Sequence, residues 1–245
     1  MDAKLYPALY APKDGYVFVV TYGRSGSTLT QSLLNSIPGY CIRGENGNLP
    51  YFLARAANFV SNNDMYKWRR EDLPKKTEDR RPYLQKILGQ PFDPWAGAED
   101  VDPIDFTYSF MNLFVEKILK PPPECRVSGF KEIRFHEDPR FFQSYMGILR
   151  DVFPKARFLF QTRDHDAVSK SSWWAKHPKH NVLKELQRAE TLFETFAEEN
   201  PENSFTIEYE RYSEGPEYVQ HIFDFLEEPH DSEATKVVLG RSLKH

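Results

Sequence analysis

Residues 19–35, VVTYGRSGSTLTQSLLN, gather groups suited to holding an anion. Gly23 and Gly26 flank a fixed cation, Arg24, and the hydroxyls of Ser25, Ser27 and Thr28 stand among them. A turn between a strand and a helix presents backbone N–H groups outward, and the helix dipole adds partial positive charge. The glycines allow a ligand close to the backbone, and Arg24 contributes a forked, permanently charged donor. The nucleotide-triphosphatase loop G-x-x-x-x-G-K-[ST] needs a lysine after its second glycine. Here Ser27 follows Gly26, the loop is shorter, and no acidic strand end stands out to hold Mg²⁺. The dinucleotide pattern G-x-G-x-x-G is absent too. A nucleotide-dependent kinase or hydrolase with a degenerate loop therefore stands only as an alternative.

Further reactive groups lie in GFKEIRFHED, residues 129–138. Gly129 inside a strand pattern marks a close backbone approach. Alternation puts Lys131 and Glu132 on opposite faces, with Lys131 able to reach a transferring group. Glu132 is either a base or the partner of a nearby arginine. Glu45, in GYCIRGENGN, and His136 are the other candidate bases. His177 and His180 straddle a proline with no cysteine or carboxylate at ligand spacing, so no metal site is expected. Of Trp173 and Trp174, one is expected in the core and the other against an acceptor ring.

These groups need a scaffold. GYVFVV, residues 15–20, is an apolar, β-branched and aromatic run that reads as a buried strand. The following helix carries Leu29, Leu33 and Ile37 at helical spacing and stops at Pro38-Gly39. Further strands are expected at 126–135, 156–163 and 204–210. Between them lie helical patterns, one with Leu186, Ala189, Phe193 and Phe196 on a single face, another with Val219, Ile222, Phe223 and Leu226. Strands alternating with helices predict an α/β fold with a central, mostly parallel sheet flanked by helices. Residues about 50–120 show no strand pattern, and their tryptophans, tyrosines, prolines and charges read as an inserted helical and loop region, an acceptor lid beside the sheet.

The chain has 245 residues and 40% apolar composition, enough for one domain spanning 1–245. Its net charge of −4 argues against a nucleic-acid partner. No run approaches the roughly 18 apolar residues of a membrane span. With two cysteines and no apolar leader segment, a cytoplasmic location is the expectation.

TYGRSGSTL, residues 21–29, resembles the 5′-phosphosulfate loop of sulfotransferases that use 3′-phosphoadenosine 5′-phosphosulfate (PAPS), T-x-P-[KR]-S-G-T-[TS]. Arg24 falls on the basic position, Ser25 and Gly26 on the S-G pair, and Ser27 and Thr28 on the hydroxyl pair, while Gly23 replaces the common proline. Arginine at the basic position is more typical of the carbohydrate and tyrosylprotein branches than of the small-molecule cytosolic branch, and GFKEIR resembles a segment of bacterial-type members. The resemblance implies a second anion site for the 3′-phosphate, a strand-ending arginine and a helix-borne serine eight residues on. Arg163 and Ser171 in RDHDAVSKS fit that pattern, with His165 and Asp166 departing from it. Asp166 is expected to weaken the local positive field. EYERY points to Tyr209 beside the adenine, and the basic tail GRSLKH offers Arg241 and Lys244 to the cofactor phosphates. The implied activity is sulfuryl transfer to a hydroxyl of a carbohydrate or small natural product, with Arg24 and Lys131 stabilising charge and Glu45 as base. A sulfotransferase-like binding protein without catalysis is the remaining alternative.

Overall fold

The computed structural model describes residues 3–240. Five strands form one all-parallel sheet: β1 (Gly15–Val20), β2 (Tyr40–Arg43), β3 (Val127–Glu132), β4 (Ala156–Thr162) and β5 (Ser204–Glu208), in the spatial order β2-β3-β1-β4-β5. The strand expected at 15–20 occupies those residues. The strand expected at 126–135 stops at Glu132, because the chain then turns into a short 3-10 segment, Phe135–Glu137. The four-residue β2 has too little pattern to stand out in the sequence; its pairing with β3 makes it a strand.

All six residues of β1 are buried, as a central parallel strand requires. Successive side chains serve opposite faces. Tyr16, Phe18 and Val20 enter one core with Phe130 and Phe158, while Val17 and Val19 enter the other with Leu159 and Ile207. Gly129 lets β3 lie close to β1, since a Cβ there would fall 1.8 Å from the Val17 carbonyl oxygen.

The helices are α1 (Ser27–Leu34), α2 (Leu49–Asn62), α3 (Asp64–Asp72), α4 (Pro82–Ile87), α5 (Pro103–Phe114), α6 (Phe142–Val152), α7 (His165–Ser169), α8 (Lys179–Glu199), α9 (Pro216–Leu226) and α10 (Ser232–Leu239). Apolar faces of α5, α6 and α8 cover one side of the sheet; those of α1, α9 and α10 cover the other. The expected stripes on α8 and α9 are buried. Helix α1 ends before Ile37 rather than at Pro38-Gly39. Asn35 caps it and exchanges hydrogen bonds with the Ile42 backbone, at 2.7 Å from its N–H and 2.9 Å to its carbonyl, which ties β2 to the helix.

In the inserted region, charge is turned inward. Arg69 has no exposed surface and bonds Asp93 and Glu99, and buried Asp72 pairs with Lys75 and Arg81. Removing either partner of such a buried pair leaves an uncompensated charge, which is strongly destabilising. No helix among the described residues is long and apolar enough to cross a membrane.

Candidate active site

The site forms at the carboxyl ends of β1, β3 and β4, where open parallel sheets place their ligand crevices. Register puts these ends level: Val20 lies beside Glu132 on one side and Phe160 on the other. Beyond β1 the backbone is left-handed at Arg24 (φ 70°) and again at Gly26 (φ 84°), which is the N-cap of α1. No side chain caps that helix, and while the Leu29 N–H turns back to the Gly26 carbonyl, those of Ser27 and Thr28 remain available to an anion. The space a side chain would take at each loop glycine is filled by an aromatic ring from elsewhere. A Cβ at Gly23 would fall 2.3 Å from Trp173, and one at Gly26 2.1 Å from Tyr209. Trp173 thus explains why glycine stands where the sulfotransferase pattern commonly has proline.

Gln161 supports the loop from below, a role its place in an apolar strand did not advertise. Fully buried, it donates to the Ser25 carbonyl at 2.8 Å and accepts from the Thr30 hydroxyl. Its own carbonyl accepts from Thr21 Oγ1 at 2.7 Å. Gln161→Leu strands the Ser25 carbonyl without a partner, which costs about 1–3 kcal/mol. A fall in Tm of about 2–12 °C, read by scanning calorimetry, is the expected result.

Arg163 follows β4 directly, and its Nη1 donates to the Arg24 carbonyl at 2.9 Å. Its guanidinium lies 4.4 Å from the Tyr209 ring centroid, and its Nε is buried with no partner. Ser171 belongs to the turn after α7 rather than to a helix, and its Oγ accepts from Arg24 Nε at 2.9 Å. The serine keeps its own proton to donate. A Tyr22–Glu190–His165 chain clamps this corner. Tyr22 Oη accepts from the Arg163 N–H at 2.8 Å and donates to Glu190 at 2.6 Å, while His165 Nε2 lies 2.9 Å from Glu190. Burial first, and then the Glu190 carboxylate, push the Tyr22 phenol far above its ordinary range, so it stays a neutral donor. Asp166 points its charge elsewhere, pairing at the surface with Lys179 at 2.6 Å, which lowers its pKa.

Opposite this rim, Lys131 Nζ bonds Glu45 Oε1 at 2.6 Å. Glu45 sits just beyond β2 with its side chain 33% exposed, and Arg134 Nη1 lies 3.6 Å from its other oxygen. Glu132 has no exposed surface, and both its oxygens are engaged. Oε2 accepts from the Asn48 N–H at 2.7 Å; Oε1 accepts from the Ile133 N–H at 2.8 Å and from Arg134. It is the arginine's partner and fixes the turn into α2, and it does not line the cavity. His136 faces a neighbouring cavity instead.

Both halves line one cavity of about 480 Å³. Gly23, Arg24, Gly26, Ser27 and Thr28 form its floor; Arg163, Ser171 and Tyr209 bound one side, and Glu45 and Lys131 the other. Ser25 alone among the loop candidates stays out of the wall, buried beneath it with an unpartnered Oγ. Trp173 and Leu239 are lining residues that the sequence reading did not assign to this cavity. Among the described residues, the inserted region contributes nothing to this cavity; its Tyr51 and Phe52 line a separate one with Arg134 and Glu137. Arg241 and Lys244 lie outside the described residues.

A phosphate-type loop on the central strand, with basic and acidic groups converging above it, defines a P-loop-like α/β protein with an anion-binding cavity. The chain belongs to the Sulfotransferase family, whose pattern matches residues 16–232. Membership sets aside the kinase or hydrolase alternative. Among solved structures, the chain is similar to the sulfotransferase domain from the Synechococcus PCC 7002 olefin synthase, with a TM-score of 0.56 and 16% identity over 90% of this chain and 75% of that one. The sulfotransferase domain from the curacin biosynthetic pathway gives 0.49 and 16% over 90% and 76%. A sulfotransferase from Mycobacterium avium gives 0.45 and 14% over 96% and 70%. At such identities the likeness is one of fold. No curated protein matches the chain.

Proposed function

We propose that this enzyme transfers the sulfuryl group of PAPS to a hydroxyl of a carbohydrate or small natural product. The observation that carries the reading is the meeting of Arg24, Arg163 and Ser171 at one rim of the cavity, although they are separated by up to 147 residues in sequence. A donor with phosphates at two positions needs two anion sites side by side. A buried polar atom without a partner, Arg163 Nε, and the glycine-floored loop are consistent with such a ligand.

When bound, PAPS supplies a sulfuryl group on a phosphate leaving group. The loop N–H groups, Ser27, Thr28 and Arg24 stabilise the negative charge that grows on that phosphate. Gly23 and Gly26 keep the approach open. Arg163 and Ser171 hold the 3′-phosphate, and Tyr209 lies beside the adenine. Glu45 takes the proton of the acceptor hydroxyl, and Lys131 holds that carboxylate in place and adds positive charge toward the reacting group.

Thermal stabilisation by 3′-phosphoadenosine 5′-phosphate (PAP), against ADP and ATP with Mg²⁺, tests the donor assignment. At 100 times its Kd, PAP should add about 2.7 kcal/mol. For a chain of this size that raises Tm by about 5–11 °C. ADP should do less, and Arg163→Ala or Ser171→Ala should erase the difference between PAP and ADP. An equal or larger response to ATP with Mg²⁺ would sink the reading.

A further inference from the structure

Beside the donor cavity lies a smaller one of about 190 Å³ that shares Gly23, Ile133 and Trp173 with it. It shares Trp173, Trp174 and Glu185 with a third cavity, and Trp173 lines all three. Arg134 lines the middle cavity and lies 3.6 Å from Glu45 Oε2, which puts one side chain between that cavity and the candidate base. The other polar side chains in its wall are His136, Glu137 and Glu185.

His136 is 4% exposed, and its polar atoms are poorly used. Nε2 lies 3.5 Å from Glu185 Oε1, at the outer limit of a hydrogen bond, and Nδ1 has no partner. A buried ring nitrogen left unpaired is costly, and a ligand group that completes it relieves that cost. Above it stand two indoles whose centroids are 6.5 Å apart and whose planes are inclined at 34°, with Trp173 42% exposed.

We propose that this cavity is the acceptor site and that it selects an uncharged, polyhydroxylated ring, a neutral saccharide, over an anionic one. The proposal rests on the sulfuryl-transfer reading above. The C–H face of a saccharide ring packs on an exposed indole, and its several hydroxyls meet several polar side chains. A phenol has one polar group and would leave the others in the wall unpaired. Charge sets the second preference. Glu137 and Glu185 face the cavity, and Asp138 lines the adjoining one with Glu137. The one arginine in its wall is already engaged by Glu132, Glu45 and Glu137, and Glu185 takes up Arg188 at 3.0 Å from outside the wall. A uronate or sulfate group on the acceptor would therefore meet carboxylates without a free cation.

The test is binding of PAP-saturated protein to an array of neutral, uronate-containing and sulfated oligosaccharides, with immobilised 2-naphthol as the phenol. Retention should be confined to neutral saccharides and should weaken at least tenfold in His136→Ala and in Glu185→Gln. Retention of acidic oligosaccharides or of naphthol, retention of nothing, or unchanged retention in both variants overturns the proposal. Stabilisation by PAP, measured on the same samples, shows that each variant is folded with an intact donor site. If wild-type protein is not stabilised by PAP, the donor assignment has failed, and the acceptor proposal falls with it.

Discussion

Glu45→Gln should bind PAP as the wild type does and lose turnover, with kcat lowered about 10²–10⁴-fold, the usual contribution of a positioned general base. The substitution keeps the shape of the side chain and one oxygen for Lys131, which now stands 2.6 Å from the carboxylate. What it removes is the capacity to take a proton. Neither rival can replace it from where it stands. Glu132 is fully buried with both oxygens committed to Asn48, Ile133 and Arg134, and His136 lines the adjoining cavity but not the donor cavity, where Glu45 and Lys131 stand beside the phosphate loop. Glu132→Gln should therefore show itself chiefly in the melting temperature, because it weakens the contact that seats the turn before α2 on β3. Single-turnover sulfuryl transfer together with PAP titration separates these cases. Full activity in Glu45→Gln would remove the residue from the chemistry.

Arg24→Ala should lower kcat about 10²–10³-fold, the effect of deleting one charge-stabilising donor from a preorganised site. It should also weaken PAP about 10–100-fold, since a hydrogen bond from a charged donor is worth about 1.5–3 kcal/mol. The side chain links the two anion sites through its bond to Ser171, while its backbone carbonyl anchors Arg163. Alanine leaves the carbonyl where it is, so the loss is that of the guanidinium. Arg24→Lys restores charge without the planar fork and should recover only part of the rate. If Arg24→Ala kept kcat within threefold of wild type, charge stabilisation would have to come from Lys131.

Local patterns made much of the scaffold legible. The run at 15–20 is apolar at every position because a central parallel strand is covered on both faces, and β1 occupies those residues. Stripes of period near 3.6 marked α8 and α9. Several elements escaped, α10 among them, since its short stripe near the end of the chain drew no reading. Strand β2 is four residues long and exists through its pairing with β3, and the end of α1 is set by Asn35 bonding to that strand. Gln161 escaped as well, since nothing in ARFLFQT says that its amide will reach under a loop some 136 residues away.

The sequence by itself determined the strand-loop-helix with its forward arginine, the alternation of strands and helices, and a short roster of residues able to move charge or protons. These are properties of neighbours along the chain: composition, periodicity and spacing. The tertiary structure alone decided which of them lie together. Strand order places β1 between β3 and β4, and this brings Arg24 to Ser171 and Arg163 and sets Lys131 beside Glu45. Burial then separated the three candidate bases, leaving Glu45 at the cavity wall, enclosing Glu132 and turning His136 to the next cavity. Exposure and partnership are set by chain segments far apart in sequence, so no local pattern encodes them.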